Sequence, residues 1–188
     1  MVIESPMPSM PIYFWNDPHQ ERYRSSYFQE FAGKWRHGDW INIHPNGSLI
    51  IQGRSDATLN RNGIRIGTAE IYGVLDSLPA IKDSLILNLE QANGEDIMPL
   101  FLVLNEGHEL TENLEKTIKK ELRTKCSPRH VPNRILAIKD IPYTLSGKKM
   151  EVPVKKLLMG QTNPAKINWD AIRNPAAMKA FVGLIQAF

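Results

Sequence analysis

Three short polar stretches combine glycine with charged residues, and they are where this sequence could do chemistry. They are residues 35–39 (WRHGD), 53–66 (GRSDATLNRNGIRI) and 142–148 (PYTLSGK). Glycine lets a ligand approach the backbone closely, and a charged side chain next to it can then bind that ligand. The pattern therefore favours a site for a polar or anionic small molecule.

Each stretch contains one side chain with a definite chemical use. Asp39 could accept two hydrogen bonds from a ribose diol. Arg54 could bind a phosphate or a ribose through its forked donors, and Lys148 could meet a transient anion from a polar loop. Each residue also has a plainer interpretation: a turn aspartate, a surface pair between Arg54 and Asp56, and a solvated lysine. The individual residues leave both interpretations open.

The amino-acid composition limits the classes of protein to which this chain can belong. Of 188 residues, 42% are hydrophobic and 23% charged, so the chain can bury a core. A net charge of +3 is well below that of a dedicated nucleic-acid-binding protein. The single Cys126 excludes an intramolecular disulfide, and no Cys/His cluster has the spacing of a metal site, so we expect no bound metal. The five histidines are interpreted as structural or surface residues.

No signal peptide is recognised at the start of the sequence. The longest apolar-rich stretch, residues 97–104, is far shorter than the ~20 residues that span a bilayer. These patterns predict a soluble, cytoplasmic protein that does not bind membranes.

The elements that must position these residues follow from turn signals and periodicity. Strands and helices interleave with short hairpins, which predicts an α+β fold. Hairpins are predicted over 40–52 and 59–66, and strands over 84–89, 97–104 and 135–138. Helices are predicted after caps at Thr68 and Thr111, around 154–158, and from Pro175 to Phe181. The aromatic residues of 1–34 show no period, and we expect them to pack on a larger body.

Taken in order, the motifs resemble the adenylate-forming superfamily of acyl-CoA synthetases. The resemblance rests on HGDW at 37–40, GRSDATLNRNGIRIGTAEIY at 53–72 and PYTLSGKKMEVPVKK at 142–156. The variants in these motifs, SPRHVP at 127–132 and the run past Gly160 are most similar to the acetoacetyl-CoA synthetase family. Essentially the whole chain is covered.

The resemblance implies that an acid and ATP form an acyl-adenylate, which CoA then converts to a thioester. Asp39 would hold the ribose hydroxyls of ATP with help from Arg54, and Arg65 would face a nucleotide phosphate. Lys148 would bridge the carboxylate and the α-phosphate. ATP with Mg²⁺, CoA and a small carboxylate, acetoacetate by this likeness, are the implied reactants.

It also implies a second set of roles. Asp56 would be the hinge of a small mobile domain, residues 56–188, and residues 1–55 would be the trailing segment of a large N-terminal adenylation domain absent here. Gly63 would leave room for the pantetheine arm of CoA, and Arg123 would contact a CoA phosphate. The fragment alone is expected to be inactive.

Three alternatives remain open at this point. The substrate could be acetate or another short-chain acid. The helix that carries Lys116, Lys119, Lys120, Arg123 and Lys125 could bind RNA or another polyanion, although glutamates interrupt it and no aromatic platform accompanies it. The apolar tail, residues 181–188, could instead belong to a non-catalytic dimerisation fragment.

Overall fold

A computed structural model describes residues 1–55, 57–61, 64–90 and 96–187. The chain divides into two compact units, Met1–Asp56 and Ala57–Phe188. Both contain helix and strand, so the predicted α+β class is confirmed. Each unit is described by itself below.

The first unit contains two antiparallel strand pairs and one short helix. Strand β1 (Val2–Ile3) pairs with β2 (Trp35–Arg36), and β3 (Asp39–Ile43) pairs with β4 (Leu49–Arg54). The second pair is the predicted hairpin over 40–52. Its turn closes with a hydrogen bond from the Gly47 N–H to the His44 carbonyl, and Gly47 has a φ of 83°, a conformation that favours glycine.

The aromatic residues of this unit form a cluster that the sequence analysis did not predict. Helix α1 (Glu21–Tyr27) was not predicted, because its seven residues are mostly polar. It sets Tyr23 and Tyr27 one turn apart, and the Tyr27 ring stacks on Trp35 with centroids 3.7 Å apart. Phe14, Tyr23, Tyr27, Phe28 and Trp35 therefore pack on one another within this unit. Tyr13 and Trp15 remain exposed.

The second unit is built on a three-stranded sheet. Its strands are β7 (Ile81–Ile86), β8 (Pro99–Leu104) and β9 (Arg134–Ala137), with β8 in the middle, antiparallel to β7 and parallel to β9. Strand β5 (Leu59–Arg61) pairs antiparallel with β6 (Ile64–Ile66), which confirms that predicted pairing, and the predicted turn at residues 62–63 lies outside the described residues. Four helices accompany the sheet: α2 (Thr68–Leu75), α3 (Glu112–Lys125), α4 (Glu151–Leu158) and α5 (Pro175–Val182).

Alternation along β8 assigns its side chains to two hydrophobic cores. Leu100 and Leu102 pack in a cluster with α2 and α3, and Phe101 and Val103 pack in a second cluster with α4 and α5. On the second side the Phe101 and Phe181 rings meet edge to face with centroids 4.8 Å apart. Helices thus cover both faces of the sheet.

The two predicted threonine caps have different outcomes. Thr111 is the N-cap of α3, and its side chain accepts a hydrogen bond from the Leu114 N–H at 3.2 Å. Thr68 is the first residue of α2 rather than its cap; Gly67 precedes the helix and offers no side-chain acceptor. Strand β7 begins three residues earlier than predicted, at Ile81.

Candidate functional site

Pairing between β3 and β4 brings Asp39 and Arg54 together. The two residues are register partners at the open end of the hairpin. Arg54 Nη1 lies 3.8 Å from Asp39 Oδ1, and His37 Nδ1 lies 2.7 Å from Asp39 Oδ2. The Asp39 side chain is 14% exposed and that of Arg54 is 56% exposed, so the carboxylate is sheltered while the guanidinium faces outward.

Gly38 makes this arrangement possible. Its φ is 89°, and a Cβ built there would lie 3.1 Å from Arg54 Nη1. Arg54 Nη1 also donates to the His37 carbonyl at 3.4 Å. A side chain at position 38 would therefore both strain the backbone and displace the guanidinium. His37 is a site residue that the sequence analysis missed, since all five histidines were interpreted there as structural or surface residues.

Lys148 lies on a short, closed loop in the second unit, directly before the residue at the base of that loop. Tyr143 and Lys149 form a bridge at the base of the loop, and the Thr144 N–H donates to the Lys148 carbonyl at 2.9 Å. Within the loop the Lys148 N–H donates to Thr144 Oγ1 at 3.1 Å, and Gly147 has a φ of 78°. These bonds hold the Lys148 backbone, and its side chain is exposed.

The Lys148 ammonium itself has no partner within the part of the chain that the structure describes. A loop with a held backbone and an exposed cation can present that charge to a ligand outside this unit. The chemistry available to it is electrostatic stabilisation of an anion.

The base of this loop carries a second group of side chains that sequence reasoning missed. Asp83 on β7 contacts both Tyr143 and Lys149, and Arg173 lies over the Tyr143 ring at 4.7 Å. Burial, and then the adjacent Asp83 carboxylate, raise the pKa of Tyr143, so its hydroxyl stays protonated and donates. Position 83 is some sixty residues from the loop, which is why no local motif points to it.

The remaining predicted site residues are described only in part. Asp56 and Gly63 lie outside the described residues. Arg65 pairs through its backbone with Asn60 on β5, and its side chain also lies outside the described part. Arg123 is exposed on α3. Asp39 and Arg54 belong to the first unit, and Lys148 and Arg123 belong to the second.

The basic helix α3 is largely neutralised by its own glutamates. Three of its lysines lie within 4 Å of a glutamate one turn earlier; the pairs are Glu112–Lys116, Glu115–Lys119 and Glu121–Lys125. Such pairs stabilise an exposed helix by about 0.2–0.5 kcal/mol each. The face is thus of mixed charge rather than a continuous cationic surface.

Among the described residues, no group of three or more His, Cys, Asp and Glu side chains is arranged to hold a metal ion. No helix in that same part of the chain combines the length and apolarity needed to cross a bilayer.

Comparison with known proteins shows which proteins the chain is similar to. No family model matches the chain. Acetoacetyl-CoA synthetases from Caenorhabditis elegans and Rhizobium meliloti are each 44% identical to it, over 97% and 98% of this chain respectively. The chain is homologous to the C-terminal part of acetoacetyl-CoA synthetases. This confirms the resemblance inferred from its motifs. It spans 26% and 28% of the length of these two relatives.

The fold agrees with the sequence relationship. Acetoacetyl-CoA synthetase from Streptomyces lividans superposes on 99% of the chain with a TM-score of 0.91 and 45% sequence identity. The superposition covers 28% of that protein. Both units of this chain therefore have their counterparts in an acyl-CoA synthetase structure.

Proposed function

We propose that this chain is the C-terminal part of an ATP-dependent ligase that joins acetoacetate to CoA through an acyl-adenylate. The observation that carries the proposal is the exposed ammonium of Lys148 on a backbone-held loop, in a chain about 44% identical to acetoacetyl-CoA synthetases. The identity of the acid is inferred from the names of those relatives, and the role of Lys148 in the reaction is inferred from the loop.

The first half-reaction needs a fixed cation. An acetoacetate oxygen attacks the α-phosphorus of ATP, a new O–P bond forms, and the bond to pyrophosphate breaks. Negative groups converge in this step, so a preorganised positive charge lowers the barrier. The Lys148 ammonium, next to the α-phosphate and the attacking carboxylate, provides that charge without transferring a proton.

Asp39 and its neighbours would bind the nucleotide. The Asp39 carboxylate would accept hydrogen bonds from the ribose hydroxyls. His37 Nδ1 at 2.7 Å orients that carboxylate, and the exposed Arg54 guanidinium stands beside it. Arg65 would face a phosphate. The described residues include no metal-binding cluster, so Mg²⁺, which neutralises phosphate charge when bound, would enter with the ATP phosphates.

The second half-reaction would use different residues. The CoA thiol attacks the acyl carbon of the adenylate, the thioester bond forms, and AMP leaves. Asp56 would be the hinge about which the small domain turns between the two steps, Gly63 would leave room for pantetheine, and Arg123 would contact a CoA phosphate. Lys148 has no role in this step.

The experiment that tests the proposal uses a full-length synthetase in which this chain is fused to the upstream part of the Streptomyces lividans protein. Lys148→Ala should reduce adenylate formation by roughly 10²–10³-fold, by analogy with the loss of one preorganised donor. Thioester formation from preformed acetoacetyl-adenylate should be unchanged. Lys139→Ala, which removes another exposed lysine, is the control. Equal loss of both half-reactions would reject the role of Lys148.

Substrate choice needs a separate measurement, because a fusion has the acyl pocket of its donor. The complete protein that contains this chain should therefore be assayed with acetoacetate and with acetate. A higher kcat/KM for acetoacetate is expected, and a clear preference for acetate would overturn that part of the proposal.

A further inference from the structure

We propose that Asp83 is a positioning residue that sets the loop bearing Lys148 for adenylate formation. The inference rests on the proposed function, since it assigns Asp83 a role in presenting the proposed catalytic lysine. It is carried by geometry: one carboxylate on β7 bonds to both residues at the base of the loop.

The two carboxylate oxygens of Asp83 contact different residues at the base of the loop. Oδ2 accepts a hydrogen bond from the Tyr143 hydroxyl at 2.6 Å, and Oδ1 lies 2.8 Å from Lys149 Nζ. Tyr143 and Lys149 are themselves bridge partners on opposite sides of the loop. The carboxylate therefore connects both ends of the loop to strand β7. One of these ends, Lys149, directly follows Lys148.

The strand directs Asp83 toward the loop. The register of β7 against β8 shifts between Ile81 and Asp83, which is a β-bulge. A bulge re-aims the side chains that follow it. Asp83 then shares a strand face with Leu85, whose cluster also contains Ile141 and has Tyr143 packed against it. The side chains of Asp83 and Lys149 are each 22% exposed, so water screens their pairing only in part.

Lys149 has further contacts that hold its ammonium in place at the base of the loop. Its Nζ donates to the Ser84 carbonyl at 2.6 Å and lies 4.1 Å from the centroid of the Tyr72 ring. Three groups therefore hold one ammonium, whereas the neighbouring Lys148 ammonium has no partner among the described residues. The two consecutive lysines thus have different roles. Lys149 holds the base of the loop in place, and under the proposed function the exposed Lys148 ammonium faces the ligand.

A second segment closes the other side of the loop. The Tyr143 N–H donates to Asn174 Oδ1 at 2.8 Å, the Arg173 N–H donates to the Tyr143 carbonyl at 2.9 Å, and the Leu145 N–H donates to the Ala171 carbonyl at 3.2 Å. These contacts hold the backbone of the loop, but none of them reaches Lys149. Among the described residues, the Asp83 side chain contacts the side chains of both Tyr143 and Lys149, which lie on opposite sides of the loop.

Asp83→Asn is the informative variant because it keeps the size and removes the charge. An amide presents one oxygen and one NH₂, so only one of the two contacts keeps an acceptor oxygen, and the negative charge that pairs with the Lys149 ammonium is lost in either orientation. A misplacement of about 1 Å in a catalytic group can cost on the order of 10²-fold in rate. We therefore expect adenylate formation to fall roughly 10- to 100-fold.

The first measurement uses the 188-residue chain itself and needs no activity. Hydrogen exchange at the Thr144 and Lys148 amides should be faster in Asp83→Asn than in the unmodified chain, and Tyr143→Phe should increase it in the same amides. Exchange in α3, which lies on the other face of the sheet, should not change. Asp76→Asn, at an exposed aspartate after α2, is the matched control. Unchanged exchange in the loop would overturn the inference.

The second measurement uses the fused synthetase described above and separates the inference from the proposed function. Asp83→Asn should slow adenylate formation and leave thioester formation from preformed adenylate unchanged. A merely structural role would lower both half-reactions together, and that result would overturn the inference. If Lys148→Ala has no effect on adenylate formation, the proposed function fails. If Lys148→Ala abolishes that step and Asp83→Asn does not slow it, only the positioning role fails.

Discussion

At the scale of single residues, the partly buried Tyr72 is an ionisable group with a clear consequence for stability. Its hydroxyl donates to Glu151 and accepts from the Ile86 N–H at 3.3 Å. Burial, and then the charge of Glu151, raise the pKa of Tyr72 well above the ordinary 10. The folded chain therefore keeps Tyr72 protonated at a pH where the unfolded chain ionises it.

Tyr72 predicts a loss of stability in alkali. A raised folded-state pKa gives a contribution that is complete below pH 10 and is lost as pH rises above it, by about 1.4 kcal/mol per pH unit. In urea unfolding between pH 8 and pH 11, the free energy of unfolding of Tyr72→Phe should fall less steeply above pH 10. Tyr13→Phe, at an exposed ring, should follow the unmodified chain. Parallel curves for all three proteins would contradict the assignment.

At the scale of elements, helix α3 shows how a local signal sets a boundary. Thr111 has extended backbone and its side chain bonds to the Leu114 N–H, which would otherwise be one of four unsatisfied donors. Glutamates occupy the first turn and basic residues the last, in the order that complements the helix dipole. Ile118 and Leu122 then face the core. The start, the orientation of charge and the buried face of α3 all follow from spacing.

The Thr111 cap gives a prediction at this scale. Thr111→Ala should lower the free energy of unfolding by about 1 kcal/mol, because the Leu114 N–H loses its acceptor. Thr111→Ser keeps the acceptor and should stay within a few tenths of a kcal/mol of the unmodified chain. Thr117→Ala, inside the same helix, removes a threonine hydroxyl without removing a cap. Denaturant unfolding monitored by circular dichroism compares the three. Equal destabilisation by Ala at 111 and 117 would contradict the cap.

At the scale of the whole molecule, the proposed function assigns to the chain parts of a site rather than a complete one. Asp39 and Arg54 form one polar group in the first unit, and Lys148 is presented by the second. The chain spans 26% of its Caenorhabditis elegans relative and 28% of the Streptomyces lividans structure. Under the proposed function, the acyl pocket and the phosphate-binding loop lie in the part of those proteins that has no counterpart here.

The isolated chain should therefore be inactive. Incubated with ATP, acetoacetate, CoA and Mg²⁺, the 188-residue chain should produce no AMP above a heat-denatured sample. The fused synthetase under the same conditions should form AMP and acetoacetyl-CoA, and it serves as the positive control. Chromatographic detection of AMP is the measurement. AMP formation by the isolated chain would show that its own residues complete the site.

The sequence by itself determined the features that depend on residues close together in the chain. Asn and Gly in the 45–47 turn, the Thr111 cap and Pro175 at the start of α5 are local, and the structure has each of them. The α+β class and the similarity to acetoacetyl-CoA synthetases also follow from the sequence, since short motifs keep their residue types and spacing. Each of these conformations involves only a few neighbouring residues, so it does not depend on contacts with distant parts of the chain.

Only the tertiary structure decided which distant residues meet. The contacts of Asp83 with Tyr143 and Lys149 join positions about sixty residues apart, and the bulge in β7 that directs Asp83 depends on its register against β8. Helix α1 likewise packs the rings of Tyr23 and Tyr27 against Trp35, a contact that its own polar sequence does not indicate. Packing across a sheet selects such pairs through burial and register, and neither is encoded by spacing along the chain.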